Sequence, residues 1–129
     1  MLSELRREDR ADANVRAWAA RTKERLWISA VTVFELERGV LRVARRDPVQ
    51  GAHLRRWLDH QIFPAFEQTT LALDFAAARR CARLHVPDPR SYRDAFIAAT
   101  ALVHRLTVVT RNVADFEPMG VSLLNPWTA

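Results

Sequence analysis

The 129-residue chain is 49% hydrophobic and 27% charged, a globular composition long enough for one domain and too short for two ordinary ones. Three glycines leave no room for a Gly-rich nucleotide loop, and the single Cys81 excludes an internal disulfide and a cysteine-based zinc cluster. The formal charge is +5 and Lys23 is the only lysine among twenty basic residues, so the excess is guanidinium, which suits phosphate binding and equally an arginine-rich solvated surface.

In chain order, Arg6, Arg7, Asp9, Arg10 and Asp12 break up the N-terminus, which excludes a secretory signal. No apolar run approaches the ~20 residues of a membrane span, so a cytoplasmic protein is expected. Residues 13–25 read as a helix with Val15, Trp18, Ala19 and Thr22 near one face. Leu26-Trp27-Ile28 reads as a short strand. A helix follows over about 30–46, its apolar stripe formed by Val33, Leu36, Val40 and Val43, and Asp47-Pro48 ends it. Residues 50–61 form another helix, with Leu54, Trp57 and Leu58 inward, and Pro64 breaks the chain. Thr70-Leu71-Ala72-Leu73 is a brief strand or entry turn. Asp74 starts a helix carrying Ala77, Cys81 and Leu84, which Pro87-Asp88-Pro89 stops. The Ala-rich stretch 91–104 is the next helix. Leu106-Thr107-Val108-Val109-Thr110 reads as a buried parallel strand, and Val121-Ser122-Leu123-Leu124 as the last one. Strands alternating with helices predict an α/β fold whose site lies past the carboxyl ends of its strands.

Three carboxylates stand out by position. Glu35 lies early in the 30–46 helix, beside its apolar stripe. Asp94 precedes Ile97, Ala98 and Ala101 by three, four and seven residues, which places it on the apolar face of its helix. Asp115 lies just past the strand ending at Thr110. Carboxylates gathered from several strand ends cannot all ionise cheaply without a cation, and hard oxygen ligands select Mg²⁺ or Mn²⁺. A second explanation stands beside this one. Thr32, Ser91 and Asn112 each precede an acid by three residues, the spacing of a capping box. Ser29 is a better candidate cap than Thr32, and if it caps, Glu35 sits in the second turn and closes no box. His53, His60, His85 and His104 show no metal-ligand spacing, and His104 suits the dipole at a helix C-terminus. The four tryptophans read as core or partner contacts. Phe34 and Leu41, one heptad apart and opposite Leu36, suit packing against another helix or a dimer contact.

Five strings in order resemble the VapC branch of the PIN family. They are Leu2-Ser3-Glu4-Leu5, the run from Ile28 to Gly39, Asp94-Ala95-Phe96-Ile97-Ala98-Ala99-Thr100-Ala101, the run from Leu106 to Phe116, and Asn125-Pro126-Trp127. The resemblance covers nearly the whole chain and implies one PIN domain over 1–129, a three-layer α/β/α sandwich around a central parallel sheet. It implies a Mg²⁺-dependent endoribonuclease of the toxin type, a homodimer, an RNA substrate and inhibition by a VapB-like antitoxin. It maps Glu35 and Asp94 onto the family's second and third acids. Asp115 maps onto a more variable fourth, with Thr110 and Asn112 as polar neighbours. Arg111 is a candidate phosphate contact.

The family normally opens with a strand ending in Asp-Thr-Asn. Here Met1 takes the apolar position that follows, so the first strand and its aspartate are missing, and the coding frame is expected to continue upstream. A catalytically impaired module that docks an antitoxin or another copy of itself is the alternative function.

Overall fold

The computed structural model of the chain describes residues 26–126, which divide into two compact units, 26–71 and 72–126. The expected helix over 13–25, the string Leu2-Ser3-Glu4-Leu5 and Trp127 lie outside the described residues.

In the first unit the strand β1 (Ile28–Ser29) runs straight into α1 (Ala30–Arg46). Ser29 keeps an extended backbone, and its Oγ accepts the Val31 N–H at 3.0 Å, satisfying a donor that the first helical turn leaves free. Thr32, Leu36 and Val40 recur every fourth residue and are buried. Val33 and Val43, expected inside, are half-buried at the edges of that stripe. Asp47 closes α1 by donating its N–H to the Val43 carbonyl at 2.8 Å. It also opens α2 (Pro48–Trp57), where its Oδ1 accepts the Gln50 N–H at 3.1 Å and Pro48 fills a first-turn position that needs no donor. The two helices pack closely where Gly51 is buried, because a Cβ there would collide with the backbone and Cβ of Ala44.

Pro64 does not break the chain here. A π-turn over Leu58–Ile62 leads directly into α3 (Phe63–Phe66), which contains Pro64. The Phe63 N–H reaches back five residues to the Leu58 carbonyl, and this widened turn makes room for a ring that would clash in a regular helix. A 3₁₀ turn over Glu67–Thr69 then delivers β2 (Thr70–Leu71), parallel to β1 with Ile28 opposite Thr70 and Ser29 opposite Leu71.

In the second unit Asp74 caps α4 (Phe75–Leu84) through Oδ1 and the Ala77 N–H at 2.9 Å, as expected. This helix packs on α5 (Tyr92–His104), and the fully buried residues of the pair are small: Ala77 on one, Ala95, Ala98 and Ala99 on the other. Arg105 ends α5 in the left-handed region (φ 58°), which lets the Leu106 N–H return to the Ala101 carbonyl at 2.8 Å.

Strand β3 (Val108–Val109) pairs in parallel with β4 (Leu123–Leu124), with hydrogen bonds from Val108 N–H to Ser122 O and from Thr110 N–H to Leu124 O. The expected strands over 106–110 and 121–124 are therefore shorter than read. Burial alternates along the first: Val108 and Thr110 are buried and Thr107 is exposed, so only one side of the pleat faces the interior. Between the strands lie α6 (Val113–Phe116), anchored by Phe116 at 1% exposure, and a 3₁₀ turn over Glu117–Met119. Both strand pairs are parallel and alternate with helices, as the α/β expectation requires. Among the described residues no helix is long and apolar enough to cross a membrane.

Candidate functional site

Asp94 lies in the first turn of α5, and its side chain is only 10% exposed. An ionised carboxylate so far from water needs strong partners. Its one hydrogen bond among the described residues is a long one, 3.3 Å from Nε of Arg93, the preceding residue. The capping-box explanation fails here, because Ser91, the cap of α5, makes no side-chain capping bond. It fails for the other two acids as well. Ser29 caps α1, so Glu35 falls in the second turn. Asn112 caps α6 without a side-chain bond and instead donates its backbone N–H to Thr110 Oγ1 at 2.9 Å.

Glu35 is partly exposed (26%) and accepts a bond from Arg38 at 2.9 Å. The same Arg38 lies over the Phe34 ring, 5.3 Å from its centroid. Asp115 is exposed, and the buried Phe116 beside it fixes the short helix that presents it. Thr110, 1% exposed at the end of β3, shapes the turn that leads there, and Arg111 is exposed at that turn. Asp94 and Asp115 thus belong to the unit 72–126, whereas Glu35 belongs to the unit 26–71. Among the described residues no group of three or more His, Cys, Asp or Glu is gathered to hold a metal ion.

Mg²⁺ keeps several waters and is commonly held through one or two carboxylates, so a full protein cage is not required. The donor chemistry fits such an ion. Asp94 is a nearly buried hard oxygen donor with a single long hydrogen bond among the described residues, Asp115 is exposed and Glu35 is partly exposed.

One ionic network lay outside the sequence reading. Arg55 on α2 grips Glu37 on α1 with both terminal nitrogens, at 2.8 and 2.7 Å, and also reaches Asp59 at 3.1 Å. The bond from Arg55 holds the Glu37 carboxyl below the usual range, and Glu37 in turn raises Arg55. The Arg55–Asp59 half has the i,i+4 spacing of a helix pair and was visible in sequence. The Glu37–Arg55 half spans 18 residues and follows only from the packing of α1 on α2. Cys81 is buried, and desolvation pushes its thiol up, away from the reactive thiolate.

The model of the PIN domain matches residues 1–117. The chain is 34% identical over 136 residues to the VapC ribonuclease Y4jK of Sinorhizobium fredii, covering 98% of this chain and 93% of that one. It is 34% identical over 110 residues to the toxin FitB of Neisseria gonorrhoeae, covering 81% of this chain and 77% of that protein. Among solved structures it is similar to FitAcB from Neisseria gonorrhoeae, with a TM-score of 0.87 and 30% identity over 99% of this chain and 94% of that one.

Proposed function

The chain belongs to the PIN domain family, in its VapC-type toxin branch, and on that premise we propose that it is a metal-dependent endoribonuclease of a toxin–antitoxin system. A single PIN domain over 1–129 hydrolyses phosphodiester bonds of RNA in the cytoplasm. A VapB-like antitoxin restrains it, and it assembles as a homodimer. The observation that carries the reading is Asp94, a carboxylate 10% exposed whose one hydrogen bond among the described residues is long, at the position that the resemblance maps onto a family acid.

The resemblance makes Asp94, Glu35 and Asp115 the candidate ligands of Mg²⁺, with Mn²⁺ as a substitute, and α6 carries Asp115. Such an ion lowers the pKa of a bound water and steadies charge on a phosphodiester under in-line attack. The chain's own part is placement. The first turn of α5 keeps Asp94 out of bulk water, so that its charge is little screened. Thr110 fixes the turn on which Asp115 is carried. The Arg38 guanidinium pairs with Glu35 at 2.9 Å, so a metal ion there would have to compete with it.

The test is cleavage of RNA by the purified protein in Mg²⁺ and in EDTA. Cleavage in Mg²⁺ that EDTA abolishes supports the proposal. Cleavage that survives EDTA overturns metal dependence. No cleavage in either buffer, with tight binding to a co-encoded small protein, supports the catalytically impaired module instead.

A further inference from the structure

We infer that the exposed face of α1 is a track for the phosphate backbone of single-stranded RNA, running from Glu35 toward the C-terminal end of that helix. The inference rests on the reading that RNA is the substrate and adds where its chain lies. At 100° per residue, Arg38, Arg42 and Arg45 fall within an arc of about 60°, and Glu35 borders that arc. All three arginines are exposed, whereas Thr32, Leu36 and Val40 face the opposite way and are buried. From Glu35 to Arg45 the helix rises about 15 Å, room for a few nucleotides.

Two ordinary explanations leave part of this stripe without a reason. Basic residues in a last turn complement the helix dipole, which accounts for Arg45 and Arg46. That effect fades beyond one turn and does not reach Arg38 or Arg42. Local ion pairing accounts only for Arg38, which holds Glu35. Among the described residues Arg42 and Arg45 make no ion pair. The acid on the other flank of α1, Glu37, is already neutralised by Arg55.

Phe34 gives the track a starting point. It is 57% exposed beside Glu35, with Arg38 over its ring, an arginine–aromatic pair on which a base can stack. A second copy of the chain is a poor occupant, because a two-fold contact through this face would set one arginine stripe against another. A polyanion is the complementary partner.

The experiment measures binding of a fluorescent 12-nucleotide single-stranded RNA in EDTA across a salt series. Binding to single strands weakens with salt by a slope of about 0.7 per phosphate neutralised. The double variant Arg42→Gln/Arg45→Gln is expected to flatten that slope by about 1.4 and to weaken binding at 0.1 M salt roughly 25-fold. Arg42→Lys/Arg45→Lys, which keeps the charges, is expected to keep the slope. Arg79→Gln/Arg83→Gln, the same charge loss on exposed positions of α4, is expected to leave it unchanged. Equal weakening by the α1 and α4 variants means a net-charge effect and overturns the track. A wild type that cleaves RNA while the α1 variant binds it normally overturns the track alone. If the α1 variant instead loses only a protein partner, the face docks protein and the track is wrong. A wild type that neither binds nor cleaves RNA overturns the underlying reading as well.

Discussion

At the scale of single residues, the balance of partners decides what each acid does. Glu37 and Asp94 are both carboxylates near an arginine, yet their settings differ. Glu37 receives two short bonds from Arg55 across two helices, and its carboxyl is held below the usual range. A folded-state pKa that is lowered adds stability above the unfolded value, about 4.3, and that stability is lost as pH falls through the folded value. With 40% of its side chain exposed, the pair contributes no more than about 1 kcal/mol. Glu37→Gln is therefore expected to lower the melting temperature by a few degrees at pH 7 and by less at pH 3. An equal loss at both pH values would mean that shape, not charge, holds the pair. Asp94 has no such grip, which is why it is the residue with chemistry to spare. Its position on the buried face of α5 was legible from the spacing to Ile97, Ala98 and Ala101. The failure of the capping alternative was legible at Glu35, where Ser29 was the better cap, but not at Asp94 or Asp115, where it depends on whether Ser91 and Asn112 turn their side chains onto the helix.

At the scale of elements, the caps at Ser29 and Asp74 were the readable part, whereas Asp47 reads from sequence only as the end of α1. Ser29, Asp47 and Asp74 each bond a backbone N–H two or three residues on, so the starts of α1, α2 and α4 follow from local chemistry. Pro64 misled because its local rule, that proline ends a helix, is overridden by the π-turn before it. The strands came out shorter than read because apolar runs report burial, while pairing depends on a partner distant in sequence.

Two glycines of the same helical hairpin separate conformational cost from packing. A Cβ at Gly39 in α1 meets nothing within 4 Å, so Gly39→Ala is expected to stabilise by up to about 1 kcal/mol through helix propensity. Gly51 in α2 touches Ala44, so Gly51→Ala must force the helices apart and is expected to cost about 1–3 kcal/mol. Thermal melts of the two variants should move in opposite directions. A shift of the same sign in both would mean that α1 and α2 do not pack through Ala44.

At the scale of the whole molecule, the α/β class was legible because it rests on the order of strands and helices along the chain. Residues 1–117 match the PIN domain. The distribution of charge was less legible. The composition showed arginine excess, but only the fold sorts those side chains into Arg55, which locks two helices, and Arg42 and Arg45, which face solvent unpaired among the described residues.

The central claim is that Asp94 serves a metal that cuts RNA. The most direct measurement is the initial rate of RNA cleavage in Mg²⁺ for wild type, Asp94→Asn and Glu117→Gln, the last an exposed acid on the same unit. The predicted result is a loss of at least about 100-fold for Asp94→Asn, roughly 2.7 kcal/mol of barrier, with Glu117→Gln unchanged. Equal rates for Asp94→Asn and wild type would contradict the claim.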